Sequence, residues 1–213
     1  MEVWVAYSFH NKSKRENIEH LFHKLPHSIV QSVGIYKNTD DRMGRMTSKL
    51  LLQILIKKML PNEGFFWDLY KKDSFSKPYF EELNISFNSS HTEGFSVVCA
   101  VQKGKCGIDT EMVKSLDINL YDNFLHMNEK KLISKQEKPL ISFYEIWVKK
   151  EASLKASGLG IHEDLAMIDA YQNPVLINEN KYFTKELKLS QNHITYIATN
   201  NVVEKINLEE IIF

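Results

Sequence analysis

The chain has only two cysteines and no net charge, and each of these removes a class of protein. Cys99 and Cys106 lie in or beside apolar, strand-like segments and lack partners at zinc-ligand spacing, so they read as reduced fillers and no disulfide framework is expected. Lys+Arg and Asp+Glu stand at 27 each, which removes the basic footprint of a protein that neutralises nucleic-acid phosphates, and no nucleic-acid partner is expected. The central apolar stretch "LLLQILIKKML" is interrupted by Gln53 and two lysines and is too short for a bilayer, so no membrane span is expected. "MEVWVAYSFHNK" alternates apolar and polar residues without a basic opening or a small-residue cleavage site. It reads as a strand and not a signal, and together with the reduced thiols it points to the cytosol.

What remains is an ordinary globular composition, 43% hydrophobic and 25% charged over 213 residues. A chain of that length buries roughly 70% of its unfolded surface, as one large domain or two small ones. Met1 to Phe9 reads as strand, Lys12 to Leu25 as helix ending near Pro26, and Arg42 to Leu60 as a long helix stopped by Pro61 and Gly64. An aromatic segment, Phe65 to Tyr70, precedes the turn signal "SKPYF"; "ISFNSSH" and "GFSVVCAVQ" then read as strands joined by the polar loop "SSHTEG". "KCGIDTEMV" is a further strand and Asp117 to Ile133 is mostly helical. "LAMIDAY", "PVLI", "ELKLS" and "ITYIATN" return to strand. The expected fold is α+β, with a boundary near Gly104 dividing residues 1–104 from 105–213.

Two constellations carry chemistry. In "GIDTE", Asp109 and Glu111 are two residues apart, a spacing that points both carboxylates to one face of a strand. They read either as a shared cation site or as a solvated strand end. In "WVKKEASLKASGLG", Trp147, Glu151 and Lys155 fall at i, i+4 and i+8 and stack along one helical face, with Gly158 and Gly160 available as a helix C-cap. This reads either as part of a site or as a surface Glu–Lys pair. Asp109, Glu111 and Glu151 together are an oxygen donor set that suits magnesium, which is commonly held by one or two carboxylates plus substrate phosphates. The eight histidines are scattered without zinc-ligand spacing. Lys77 in "SKPYF" and the hydroxyls and histidine of "NSSHTEG" are possible phosphate contacts.

Taken in order, "KPYF", "FNSSHTEG", "GIDTE" and "WVKKEASLKASGLG" resemble the signature of the 4′-phosphopantetheinyl transferases, specifically the long, Sfp-type class. The motifs span Lys77 to Gly160. The resemblance implies two similar α/β halves related by a pseudo-twofold axis, coenzyme A in the cleft between them, and transfer of phosphopantetheine to a serine of an apo acyl or peptidyl carrier protein with release of 3′,5′-ADP. It implies magnesium ligands at Asp109, Glu111 and Glu151, phosphate contacts from Lys155 and His91, and nucleotide contacts from Lys77, Pro78, Ser89 and Ser90. Glu151 and Lys155 are the implied catalytic pair, Glu151 doubling as the base for the serine proton. In "NFLHMNE", Phe124 and Leu125 are candidate apolar contacts to the carrier, the other reading being a buried helix face. The family has a basic cluster before the first long helix and an arginine early in that helix, both serving the 3′-phosphate. Here the region is poor in basic residues and the ungapped match to the arginine is Gly44, which leaves Arg42 or Arg45 as substitutes. The resemblance further implies a monomer, because both halves lie in one chain. The rivals are a non-catalytic coenzyme A or carrier-binding module and a magnesium-dependent nucleotide pyrophosphohydrolase.

Overall fold

The computed structural model describes residues 1–10, 14–62, 64, 66–74, 77–160 and 164–213. Lys12, Phe65 and Ser76, which the sequence placed in a helix, an aromatic segment and a turn, lie outside them. The first half of the order is β1 (Glu2–Phe9), α1 (Arg15–Glu19), α2 (His27–Gly34), α3 (Thr39–Met59), β2 (Tyr70–Lys72), β3 (Pro78–Phe80), β4 (Ser86–Thr92) and β5 (Phe95–Val101). There follow β6 (Cys106–Met112), α4 (Met127–Ile133), α5 (Pro139–Ser157), β7 (Val175–Ile177), β8 (Asn180–Glu186), β9 (His193–Thr199) and β10 (Lys205–Glu210).

The chain divides into two compact units: Glu2–Lys103 with Glu204–Phe213, here the N-terminal unit, and Met1 with Gly104–Val203, the C-terminal unit. Residues 204–213, which a boundary at Gly104 assigns to the C-terminal half, therefore belong with the N-terminal unit. The reason is β10, which adds in parallel to β1 from Glu2 opposite Lys205 to Tyr7 opposite Glu210.

In the N-terminal unit the sheet order is β10-β1-β5-β4. All of β5, "FSVVCAV", is buried, as a near-continuous apolar run at the centre of a sheet must be. Helix α3 begins at Asn38, whose side chain accepts from the N–H groups of Asp40 and Asp41, and it carries Lys57 and Lys58 in its last turn, so both ends suit the helix dipole. Leu51, Leu52, Leu55 and Ile56 pack with Val98 and Ala100 of β5, while Met43, Met46 and Leu50 pack with Ile18, Ile29 and Val33. Burial on two sides fixes the rotation of α3, and with it the direction of its polar side chains.

In the C-terminal unit the sheet order is β6-β9-β8-β7, and α5 lies against it. The contact depends on Gly107: a Cβ there would stand 2.2 Å from the carbonyl oxygen of Ala152 and 2.3 Å from the nitrogen of Ala156. Only glycine permits so close an approach. Helix α5 ends at Gly158 in the left-handed conformation, the C-cap expected of the motif.

Several sequence expectations differ in detail. The strand read in "ISFNSSH" holds through "SSH", because Ser89, Ser90 and His91 pair with Val98, Val97 and Ser96, and the joining loop read as "SSHTEG" shrinks to Glu93 and Gly94. "LAMIDAY" contains a 3₁₀ turn, Leu165–Met167, nucleated by the Asp164 side chain accepting from the Ala166 N–H. "ELKLS" lies mostly beyond the end of β8. Within Asp117 to Ile133, a 3₁₀ turn over Ile118–Phe124 precedes α4.

Candidate active site

The direct packing of α5 on β6 gathers the acidic residues. Asp109 is buried, Glu111 and Glu151 are half-buried, and Lys155 donates from Nζ to Asp109 Oδ1 at 2.6 Å. Burial and then the Asp109 charge push the Glu111 carboxyl up to about 7, with Glu151 adding to the repulsion and Lys155 opposing it. Burial, followed by Asp109, also raises Glu151, against Lys155 and Lys150. The three carboxylates thus feel one another, and Lys155 is a cation they share. Among the described residues no group of three or more His, Cys, Asp or Glu is already arranged as a metal cage. The all-oxygen donor set and its mutual repulsion nevertheless suit a hard divalent cation that takes its remaining ligands from water and phosphate.

A pH dependence follows from Glu111. Its folded value near 7 lies above the ordinary 4.5, so the folded state binds more protons in that interval and stability falls as pH rises through it. In chelator, the melting temperature of the wild type is expected to decline relative to that of Glu111→Gln between about pH 4.5 and 7. Parallel pH profiles for the two proteins would contradict this.

The N-terminal unit holds a cavity of about 330 Å³ lined by basic residues: Arg45 and Lys49 from α3, Lys72 from β2, and His91 from β4, with Pro78 and Ser89 beside them. Ser89 and His91 share one face of β4, as residues two apart on a strand do. Ser90 alternates to the other face and is buried. Lys77 is the neighbour of Pro78 but does not itself line the cavity; its backbone N–H donates to Asp73 Oδ1 at 2.8 Å. Arg42 is turned to the Tyr36 carbonyl, at 3.4 Å from Nη1, and of the two arginines only Arg45 lines the cavity. Gly44 has its own reason: a Cβ there would lie 2.4 Å from His91 Cδ2, so the residue makes room for the imidazole.

Sequence reasoning missed Lys49 and Lys72. Burial, then the charges of Lys72 and Arg45, push the Lys49 ammonium down to about 8. Its Nζ donates to the Tyr70 hydroxyl at 2.5 Å, and among the described residues neither Lys49 nor Lys72 joins an ion pair. A partly buried lysine beside like charges in a cavity suits an anionic ligand, which makes this cavity a candidate anion site. Its only signal in the sequence was a lysine one helical turn after Arg45.

The apolar pair divides. Leu125 is 3% exposed and packs in the core of the C-terminal unit, so its expected role as a carrier contact is corrected: the buried reading holds there. Phe124 is 44% exposed, with Leu120 and Met127 still more open nearby in sequence. Trp147 anchors this segment, its ring 5.2 Å from that of Tyr121 and 6.3 Å from that of Phe124. Cys99 and Cys106 are free thiols and buried, as fillers should be.

No helix among the described residues is long and apolar enough to cross a membrane. Residues 105–202 match the 4′-phosphopantetheinyl transferase superfamily. The chain is 31% identical over 159 residues to the 4′-phosphopantetheinyl transferase gsp of Aneurinibacillus migulanus, covering 71% of this chain and 65% of that protein. It is 27% identical to the 4′-phosphopantetheinyl transferase psf-1 of Bacillus pumilus, over 75% of this chain and 69% of the relative. The matched length is thus about two thirds of these curated relatives. The solved holo-[acyl-carrier-protein] synthase of Thermotoga maritima aligns with a TM-score of 0.36 at 15% identity, over 45% of this chain and 61% of its own, a likeness too loose to carry weight. The stretch that matches the superfamily, residues 105–202, contains Asp109, Glu111, Glu151 and Lys155.

Proposed function

We propose that the protein transfers the 4′-phosphopantetheine group of coenzyme A to a serine hydroxyl of an apo acyl or peptidyl carrier protein, releasing 3′,5′-ADP. The observation that carries this reading is the convergence of Asp109, Glu111, Glu151 and Lys155 within one unit, in the superfamily stretch. Asp109, Glu111 and Glu151 would hold a magnesium ion, which when bound offsets charge on the pyrophosphate oxygens. Lys155 donates to the same phosphates. Glu151, whose proton affinity burial and Asp109 raise, accepts the serine proton directly or through water. The serine oxygen then forms its bond to the phosphorus bearing pantetheine as the bond to 3′,5′-ADP breaks, a displacement that needs positioning and charge neutralisation.

The basic cavity of the N-terminal unit suits the 3′-phosphate and nucleoside of coenzyme A. Arg45, Lys49, Lys72 and His91 supply the donors, with Pro78 and Ser89 alongside; Lys77 and Ser90 are sequence neighbours of this lining and do not themselves line the cavity. Exposed Phe124 is a contact for the carrier. The protein acts as a cytosolic monomer.

Two experiments address this. Release of 3′,5′-ADP should require magnesium and an apo carrier together; release without a carrier would identify a pyrophosphohydrolase instead. Lys49→Met should raise KM for coenzyme A by about tenfold to a hundredfold, the worth of a charge-assisted hydrogen bond, with little change for dephospho-coenzyme A. An equal loss for both would remove Lys49 from the 3′-phosphate site.

A further inference from the structure

Asp41 places a carboxylate next to an anion site, where it should repel the ligand. Its geometry explains its presence. Arg45 Nε donates to both Asp41 oxygens at 3.0 Å, and His91 Nε2 donates to Oδ1 at 2.8 Å. Arg45 is further fixed by its guanidinium lying 3.8 Å from the centre of the Tyr36 ring, and Gly44 makes room for the His91 imidazole. His91 lines both the basic cavity and a neighbouring acidic one, the latter also bounded by Asp40, Asp41 and Glu93. Asp41 lines only the acidic one. Its carboxylate therefore reaches the basic cavity through the two donors it holds and does not itself face into it.

Burial works to raise the Asp41 carboxyl, but the hydrogen bonds from Arg45 and His91 outweigh it and hold the group below the usual range. Asp41 thus stays an anion and a three-bond acceptor, with Asn38 capping the turn on which it stands. Arg45 spends only its Nε on this contact, and among the described residues its two Nη groups have no hydrogen-bond partner.

We propose that Asp41 is a positioning residue that orients Arg45 and His91 from behind for a phosphate of the nucleotide, Arg45 donating from its Nη groups and His91, as the imidazolium whose Nε2–H is held by Asp41, donating from Nδ1. This rests on the coenzyme A reading of the cavity. Preorganised donors lose less freedom when the ligand arrives, so the advantage appears in binding and not in the chemical step.

The test is calorimetric binding of 3′,5′-ADP to the full chain, which needs neither carrier nor metal, followed by steady-state kinetics with coenzyme A. Asp41→Asn and Asp41→Ala are expected to weaken binding about tenfold and to raise KM by a similar factor with kcat nearly unchanged, Asn less than Ala because its side-chain oxygen still accepts. Long-range nitrogen–proton NMR on His91 should show a bonded Nε2–H in the wild type that is lost in Asp41→Ala. If both variants bind 3′,5′-ADP as well as the wild type, or more tightly, Asp41 is a bystander or a competitor and the proposal fails. If kcat falls with KM unchanged, the proposal fails as well. A wild type that binds neither 3′,5′-ADP nor coenzyme A overturns the coenzyme A reading itself, and the positioning role with it.

Discussion

Glu151→Gln should reduce phosphopantetheine transfer by at least two orders of magnitude while leaving the thermal unfolding transition in place. Glutamine keeps the size of the side chain and its position one turn before Lys155, so packing of α5 on β6 through Ala152 and Ala156 is undisturbed. On the proposed function, what is lost is a negative charge that would accept the serine proton and would help Asp109 and Glu111 hold a divalent cation. The substitution also removes one repulsive neighbour of Glu111 and a raised carboxyl of its own, so stability should stay level or rise slightly. Loss of activity without loss of fold separates a chemical role from a structural one. Full activity in this variant would exclude Glu151 from the site.

Lys150→Met should produce the largest stability change, about 3–5 kcal/mol, because it leaves a buried carboxylate without its counter-ion. Lys150 and Glu129 have side chains 1% and 0% exposed and meet at 2.7 Å. Lys150 Nζ also donates to the carbonyls of Phe124 and Leu165, each at 2.9 Å. Glu129 accepts from the N–H groups of His126 and Ala170, at 2.7 and 2.8 Å. One ion pair therefore ties α5 to the start of α4, to the end of the turn that exposes Phe124, and to the segment around Leu165. The residue that follows Lys150 is Glu151, so the same clamp steadies the stretch of α5 that carries the candidate acidic site. For a chain of this size the loss corresponds to a fall in melting temperature of roughly 10 °C. The double variant Lys150→Met/Glu129→Gln should recover much of it, since the amide oxygen still accepts and no charge is left unpaired. A single variant as stable as the wild type would contradict the clamp.

Elements whose signal is local were legible in the sequence. β1, α3, β5, β6 and β9 follow from apolar periodicity, and the end of α5 from Gly158. The acidic set was legible because the spacings that define it, two along a strand and four along a helix, are properties of single elements. What could not be read depends on distant partners. "KINLEE", for which the sequence suggested no element, becomes strand because β1 is there for it to pair with. "SSH" fits the end of a strand and the start of a loop equally until β5 supplies its hydrogen bonds. Leu125 and Phe124 are neighbours of similar hydrophobicity, and only the core of the C-terminal unit decides which is covered. Lys49 and Lys72 come from different elements and meet only at the cavity. Gly44 looked like a missing arginine, whereas the His91 ring gives it a positive role.

The most direct measurement is intact-protein mass spectrometry of several apo carrier proteins incubated with this protein, coenzyme A and magnesium, beside a chelator control. The expected result is a metal-dependent gain of one phosphopantetheine on at least one carrier. Coenzyme A that binds without modifying any carrier, or that is consumed while every carrier keeps its original mass, would contradict the transferase reading.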